Sequence, residues 1–214
     1  MADLLSRYWS PIYAYLRRDG CDREQAEELT QAFVSDVMLG RDLLVKANPA
    51  RGRFRSFLLK SLKHYLIDEH RHEHGRDGTR VFVSLSNEDK AANLYEPFES
   101  DEPDHAFMRQ WATAVFDQAL QRMREACERD GMETHWVIFE ARTVRPLLHG
   151  SAPVEIDELV RSTDTAGPDH ISNILHSAKR KFLAILYDII AETVESPEEI
   201  DAELDELIQV LGAQ

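Results

Sequence analysis

The chain has 214 residues, 43% hydrophobic and 30% charged, and its 25 basic against 39 acidic side chains give a net charge of −14. That length allows one domain of ordinary size or two small ones, and the apolar content excludes a disordered chain. No apolar run approaches the roughly 18 residues of a membrane span. Residues 1–10 lack a signal-peptide pattern, so we expect a soluble, cytoplasmic protein with no membrane partner.

Apolar residues recur every three or four positions along most of the chain, a spacing that predicts helices. The predicted helices cover residues 4–18, 23–39 and 53–74, a segment from about residue 104, and residues 133–148, 154–162, 169–190 and 197–211. Pro49 and Gly52 mark a loop over residues 45–52. Residues 76–105 carry eight acids and three bases and are broken by glycine and proline, which predicts a linker.

These elements predict an all-α protein of two small helical domains, residues 1–75 and 106–190, joined by the acidic linker 76–105. Residues 191–214 carry eight acids and no base, and they predict an acidic, amphipathic C-terminal helix. Residues 41–75 differ, because they hold eight bases against four acids. The overall negative charge therefore conceals one basic segment.

The helix over residues 53–74 carries cations opposite its apolar face. At 100° per residue, a narrow arc collects Arg53, Lys60, His64 and Arg71, with Lys63 and His70 beside it. The preceding loop adds Lys46, Asn48 and Arg51. A row of cations suits the phosphates of a nucleic-acid strand, although a solvated helix face is the alternative.

Residues 154–162 and 169–190 flank a turn that contains Gly167 and Pro168, which predicts a helix-turn-helix. The first helix would pack through Leu159 against Ile171 of the second. The second helix would then point five polar side chains outward, Ser172, Asn173, His176, Lys179 and Arg180. Such residues can reach base edges and phosphates, and the alternative is a helical hairpin without a ligand.

The histidines at positions 70, 72 and 74 raise the alternative of a metal-dependent enzyme, since His70 and His74 stand one turn apart. Arg71 would repel a cation, and the sequence supplies no second ligand cluster. Cys21 and Cys127 have no zinc-site spacing. With no nucleophile elbow, Walker loop or dinucleotide glycine pattern, we predict no enzyme, no metal and no cofactor.

Taken in chain order, these segments resemble the sigma-70 superfamily, specifically the short extracytoplasmic-function (ECF) sigma factors of bacterial RNA polymerase. Residues 26–33 (AEELTQAF) look like the family's clamp-binding helix. Residues 51–59 (RGRFRSFLL) and 65–71 (YLIDEHR) look like its promoter-melting helix. Residues 136–186 are similar to its second domain, which recognises the promoter element near minus thirty-five.

The resemblance implies a transcription initiation factor that binds core RNA polymerase and directs promoter recognition and opening. It assigns contact with the core polymerase to Glu28, Gln31 and Phe33. It assigns capture of a flipped-out promoter base to the loop residues Lys46, Asn48 and Arg51, and the lining of promoter DNA to Arg53, Lys60, Lys63, His64 and Arg71. An anti-sigma protein is a further partner that it implies.

Some positions depart from the family's pattern. Ala32 stands where an acid is common, and Ser172 and Ser177 stand where arginine is frequent. These departures keep open a sigma-like regulator or decoy without promoter activity. For the acidic segment 191–214 we expect a fold-back over Lys179, Arg180 and Lys181 that weakens DNA binding until polymerase displaces it, or, alternatively, a cap on the core of the second domain.

Overall fold

The computed structural model describes residues 2–40, 53–75, 102–194 and 196–212. Within these ranges the protein is all-helical and has no strand. The helices are α1 (Ala2–Arg18), α2 (Arg23–Phe33), α3 (Phe54–Gly75), α4 (Pro103–Arg129), α5 (Glu133–Phe139), α6 (Arg145–His149), α7 (Ile156–Thr163), α8 (Pro168–Ala191) and α9 (Pro197–Gly212). Each predicted helical segment is helical, and two of them, residues 23–39 and 133–148, include a π-helical stretch. None of the described helices is long and apolar enough to cross a membrane.

Two π-helical segments interrupt this pattern, and the sequence did not predict them. Val34–Leu39 prolongs α2, and Glu140–Val144 joins α5 to α6. Both show the backbone bond to the fifth preceding residue, as between the Gly40 nitrogen and the Ser35 oxygen at 2.9 Å. A π-helical turn rotates the residues that follow it relative to a regular α-helix. Val37 and Met38, which lie in the first of the two segments, are both buried.

The chain divides into two compact units, one of residues 1–115 and 190–214 and the other of residues 116–189. The predicted domains had their boundaries elsewhere, at residues 75, 105 and 190. The difference arises because the first half of α4 and the whole of α9 belong with the first unit. Residues 76–101, most of the predicted linker, lie outside the described part of the chain.

The first unit has an aromatic core that α1, α2, α3 and α4 supply. Tyr8 meets Phe54 edge to face at 5.1 Å between ring centroids, and Phe33 meets Tyr65 in the same way at 5.5 Å. The N-terminus of α2 is fixed by a capping box. The Gln25 backbone nitrogen donates to the Asp22 carboxylate at 2.9 Å, and the Asp22 backbone nitrogen donates to the Gln25 side-chain oxygen. This cap sets the start of α2 beside α1.

The acidic C-terminal helix α9 belongs to the first unit. It buries Ile200, Glu203 and Leu207, which recur on one face at helical spacing. Its acids Glu203 and Glu206 pair with Arg53 and Arg55, and its apolar stripe is buried within the first unit. The expected fold-back over Lys179, Arg180 and Lys181 and the expected cap on the second domain therefore do not match the place of this helix in the first unit.

The second unit is held by two groups of apolar side chains. The first is aromatic: Phe182 of α8 lies 5.6 Å from Phe116 and 5.1 Å from Phe139, between ring centroids. The second surrounds the connection between α7 and α8 and consists of Ile138, Ala141, Leu159, Ile171 and Ile174. Together they fix α8 against α5 and α7.

Candidate nucleic-acid interface

Helices α7 and α8 are joined by four residues, 164–167. Asp164 takes a left-handed conformation, with φ 49°, and ends α7. Gly167 has φ 152°, which favours glycine, and Pro168 then occupies the first position of α8. The Gly167 carbonyl accepts hydrogen bonds from the His170 and Ile171 nitrogens, so this short turn sets the angle at which α8 begins.

The packing of α7 on α8 follows the prediction and adds residues to it. Leu159 of α7 packs with Ile171 and Ile174 of α8, and Ile138 of α5 and Ala141 of the π-helical segment complete the cluster. Arg142 ties the segment before α7 to this cluster, since its guanidinium donates to the Val154 carbonyl at 2.5 Å. Sequence reasoning missed Arg142, because its partner is a backbone oxygen that no side-chain pattern reveals.

The opposite side of α8 is polar and exposed. All five predicted contact residues lie on it, namely Ser172, Asn173, His176, Lys179 and Arg180. The Ser172 hydroxyl donates to the Pro168 carbonyl at 3.1 Å, which leaves its oxygen able to accept. Lys181 points elsewhere and pairs with Asp130 at 2.8 Å. The exposed row therefore combines amide, imidazole and cationic groups along one helix.

The residues predicted to meet DNA in the first unit differ in their surroundings. Lys60 and His64 are exposed, and no ion pair within the described residues engages either. Lys63 reaches Asp104 at 2.8 Å and lies over the Tyr15 ring. Lys46, Asn48, Arg51 and the side chain of Arg71 lie outside the part of the chain that the structure describes.

Arg53, the remaining cation of this row, is held by the C-terminal helix. Its Nε lies 3.1 Å from Oε1 of Glu203, and its Nη1 lies 2.5 Å from Oε2 of Glu206. Arg55 donates to Oε2 of Glu203 at 2.7 Å and also to Glu206. We call these four residues the arginine–glutamate cluster. The prediction that Arg53 offers a free guanidinium to DNA is wrong for this arrangement, because two carboxylates already occupy it.

The inner half of the cluster is shielded from water. Arg55 and Glu203 are 5% and 2% exposed, and the Arg55 guanidinium lies 4.5 Å from the centroid of the Trp111 ring. Buried ions require a close partner because each loses its hydration. The outer half is different, since the side chains of Arg53 and Glu206 remain 30% and 36% exposed. Arg55 and Glu203 therefore form the fixed half, and Arg53 and Glu206 reach solvent.

Electrostatics within the cluster favour the ionised carboxylate of Glu206. Partial burial acts to raise the pKa of this carboxyl group, but the hydrogen bond and charge of Arg55, with those of Arg53, outweigh it and leave the pKa below its ordinary value.

Two further contacts hold the chain next to the cluster. Arg7 pairs with Glu192 at 2.8 Å, and the Phe54 nitrogen donates to the Thr193 carbonyl at 3.3 Å.

One sequence signal could have revealed this cluster. Glu203 lies three residues after Ile200 and four before Leu207, so the helical period places it on the apolar face of α9. An acid on such a face needs a buried cation. The sequence names no partner for it, since Arg55 is 148 residues away.

The residues assigned to polymerase contact differ in exposure. Glu28 is exposed on α2, Gln31 is half-buried, and Phe33 is fully buried against Tyr65. The prediction that Phe33 contacts a partner conflicts with this burial, since a ring inside the core offers no surface. The resemblance assigned Phe33 to the polymerase contact, whereas its ring completes the aromatic core between α2 and α3.

Among the described residues, no group of three or more histidine, cysteine, aspartate or glutamate side chains is placed to hold a metal ion. The side chains of His70, His72 and His74 lie outside the described part. No family model matches this chain, and no curated protein or solved structure matches it.

Proposed function

We propose that the chain is a transcription initiation factor of the sigma-70 type, which binds core RNA polymerase and guides it to promoter DNA. The observation that carries this proposal is the α7–α8 pair. Its apolar side is packed against Ile138 and Ala141, its turn is short, and its second helix exposes a row that includes Asn173, Lys179 and Arg180. In this proposal the pair is a helix-turn-helix, with α8 in the major groove.

The order of the elements also supports the proposal. A helix with exposed Glu28 comes first, the basic helix α3 with Lys60 and His64 follows, and the α7–α8 pair comes last. This is the order in which a sigma-like protein would present its polymerase contact, its contact with melted or duplex promoter DNA, and its helix-turn-helix contact with the upstream promoter element. The loop residues Lys46, Asn48 and Arg51 keep their proposed role at the flipped base.

Association with core polymerase tests the first contact. We expect Glu28→Lys to abolish co-elution of the chain with core polymerase, because the substitution reverses one charge on an exposed face. Asp205→Lys reverses an exposed acid of α9 and is the matched control, for which co-elution is expected to persist. Equal retention of both variants would remove Glu28 from the polymerase contact.

A second candidate is a sigma-like regulator that binds polymerase but lacks promoter activity. The pairing of Arg53 with Glu203 and Glu206 favours it, since this pairing removes one cation from the proposed DNA surface. The two candidates separate in one assay. Lys60→Ala should spare association with core polymerase in both, and it should impair promoter opening only in an initiation factor.

A further inference from the structure

The arginine–glutamate cluster places two carboxylates where a nucleic-acid phosphate would sit against Arg53. Arg53 immediately precedes α3 and lies two turns before the exposed Lys60. Guanidinium groups bind carboxylate and phosphate through the same forked geometry. A carboxylate on Arg53 and a phosphate on Arg53 are therefore alternatives for the same donors.

The two halves of the cluster differ in what an exchange would require. Arg55 and Glu203 are buried beside Trp111, and Ile200 and Leu207 anchor α9 on either side of Glu203. Glu206 and Arg53 both reach solvent. Rotation of the Glu206 side chain would break its bonds to both Arg53 and Arg55 and would free the outer donor of Arg53. Glu203 would remain paired with Arg55 and with Nε of Arg53. The helix itself need not leave.

We propose that Glu206 acts as an internal competitor for nucleic-acid phosphate at Arg53, so that the C-terminal helix withholds one cation of α3 from DNA in the free chain. The ligand of the site is a backbone phosphate, which Arg53 binds once Glu206 turns away. This inference rests on the proposed function, since it presupposes that α3 meets DNA. It differs from a fold-back over α8, because the residue that is withheld belongs to the first unit.

Glu206→Gln tests this competition, because glutamine keeps the size of the side chain and removes its charge. The measurement is the affinity of the full-length chain for a labelled random-sequence DNA duplex over a series of salt concentrations. We expect binding about two- to fivefold tighter at low salt, the range that a partly exposed ion pair allows. The plot of log affinity against log salt should steepen by about 0.9, which corresponds to one added phosphate contact.

Asp205→Asn is the matched control. It removes one negative charge from the neighbouring position of α9, whose side chain is exposed and forms no ion pair with the described residues. It should change the affinity only through net charge and leave the salt slope unchanged. Equal effects of Glu206→Gln and Asp205→Asn would overturn the proposal, since both would then reflect the overall charge.

Arg53→Ala completes the test and does not depend on how Glu206→Gln folds. If Arg53 is withheld, Arg53→Ala in the otherwise native chain should change the affinity by less than about twofold, and combined with Glu206→Gln it should cancel the gain. A loss as large as that of Lys60→Ala would show that Arg53 already meets DNA and would overturn the proposal. If the native chain and all variants fail to bind the duplex, the proposed function fails instead.

Discussion

Arg55 and Glu203 show how two buried ions can be retained in a small helical unit. Each supplies the partner that the other needs, and Trp111 covers the guanidinium. Removal of one partner leaves a charge in a site without water, which is more costly than removal of both. The pair should therefore behave as a single unit when it is mutated.

Arg55→Met tests this coupling. We expect it to lower the free energy of unfolding by about 3 kcal/mol, because the buried Glu203 carboxylate then keeps only the partly exposed Arg53 as its partner. The double variant Arg55→Met with Glu203→Met should recover most of that loss, since both ions are then gone. The measurement is urea denaturation of the full chain.

Lys63→Met is the comparison for this prediction. The Lys63–Asp104 pair has side chains that are 42% and 49% exposed, so its loss should cost less than about 1 kcal/mol. Additive effects of the two single substitutions at Arg55 and Glu203 would contradict the coupling.

The lowered pKa of Glu206 predicts that the stability of the folded chain depends on pH. Its carboxyl group is surrounded by Arg53, Arg55 and Glu203, and its pKa in the folded chain lies below the ordinary value. Stability from this shift is fully present above the ordinary pKa of glutamate and is lost as the pH falls through the folded pKa. Glu206→Gln should therefore lose less stability than the native chain when the pH falls below that ordinary value. Asp205→Asn should follow the native curve in the same denaturation series.

The turn between α7 and α8 sets the angle at which α8, the helix proposed to contact DNA, begins. The φ of Gly167 is 152°, and any side chain there is strained although its neighbourhood is open. Gly167→Ala should destabilise the chain by about 1 kcal/mol or more. Asp164→Gly, at a left-handed helix end, should be tolerated within a few tenths of a kcal/mol. Equal thermal stability of the two variants would show that the turn geometry is not needed.

Two residues of α8 should separate the reading of bases from the binding of phosphates. Asn173→Ala should reduce discrimination between promoter and random duplex by about 1–3 kcal/mol, because a base-edge contact is lost. Lys179→Ala should weaken binding to both duplexes and lower the salt slope by about 0.9. Competition binding on the two duplexes measures both effects, and an identical profile for the two variants would remove α8 from base recognition.

The sequence predicted the helices well because their apolar stripes are regular and their ends are marked, as by Asp22 and Gln25 at α2. It did not predict the π-helical segments, whose extra residue per turn leaves no periodic signal over five or six positions. It also predicted that Arg53 belongs to a cationic row that contacts DNA. The carboxylates that bind Arg53 come from α9, and a pattern within one helix carries no information about a partner so distant in the chain.

In the whole molecule, the distribution of charge matters more than its sum. The chain has a net charge of −14, yet acids of α9 are used to pair arginines of α3, while Lys60, His64 and the cations of α8 stay exposed. Net charge alone would predict weak affinity for DNA, and local fields decide whether contact occurs. We therefore expect the affinity of the chain for free DNA to be low and strongly dependent on salt.

Transcription in vitro with core RNA polymerase shows whether the chain acts as an initiation factor. The template is a library of genomic fragments, and start sites are mapped with and without the purified chain. We predict chain-dependent starts that share two short upstream sequence blocks, and we expect Lys60→Ala to reduce them while the chain stays bound to polymerase. Start sites that are identical in the presence and absence of the chain would contradict its role as an initiation factor.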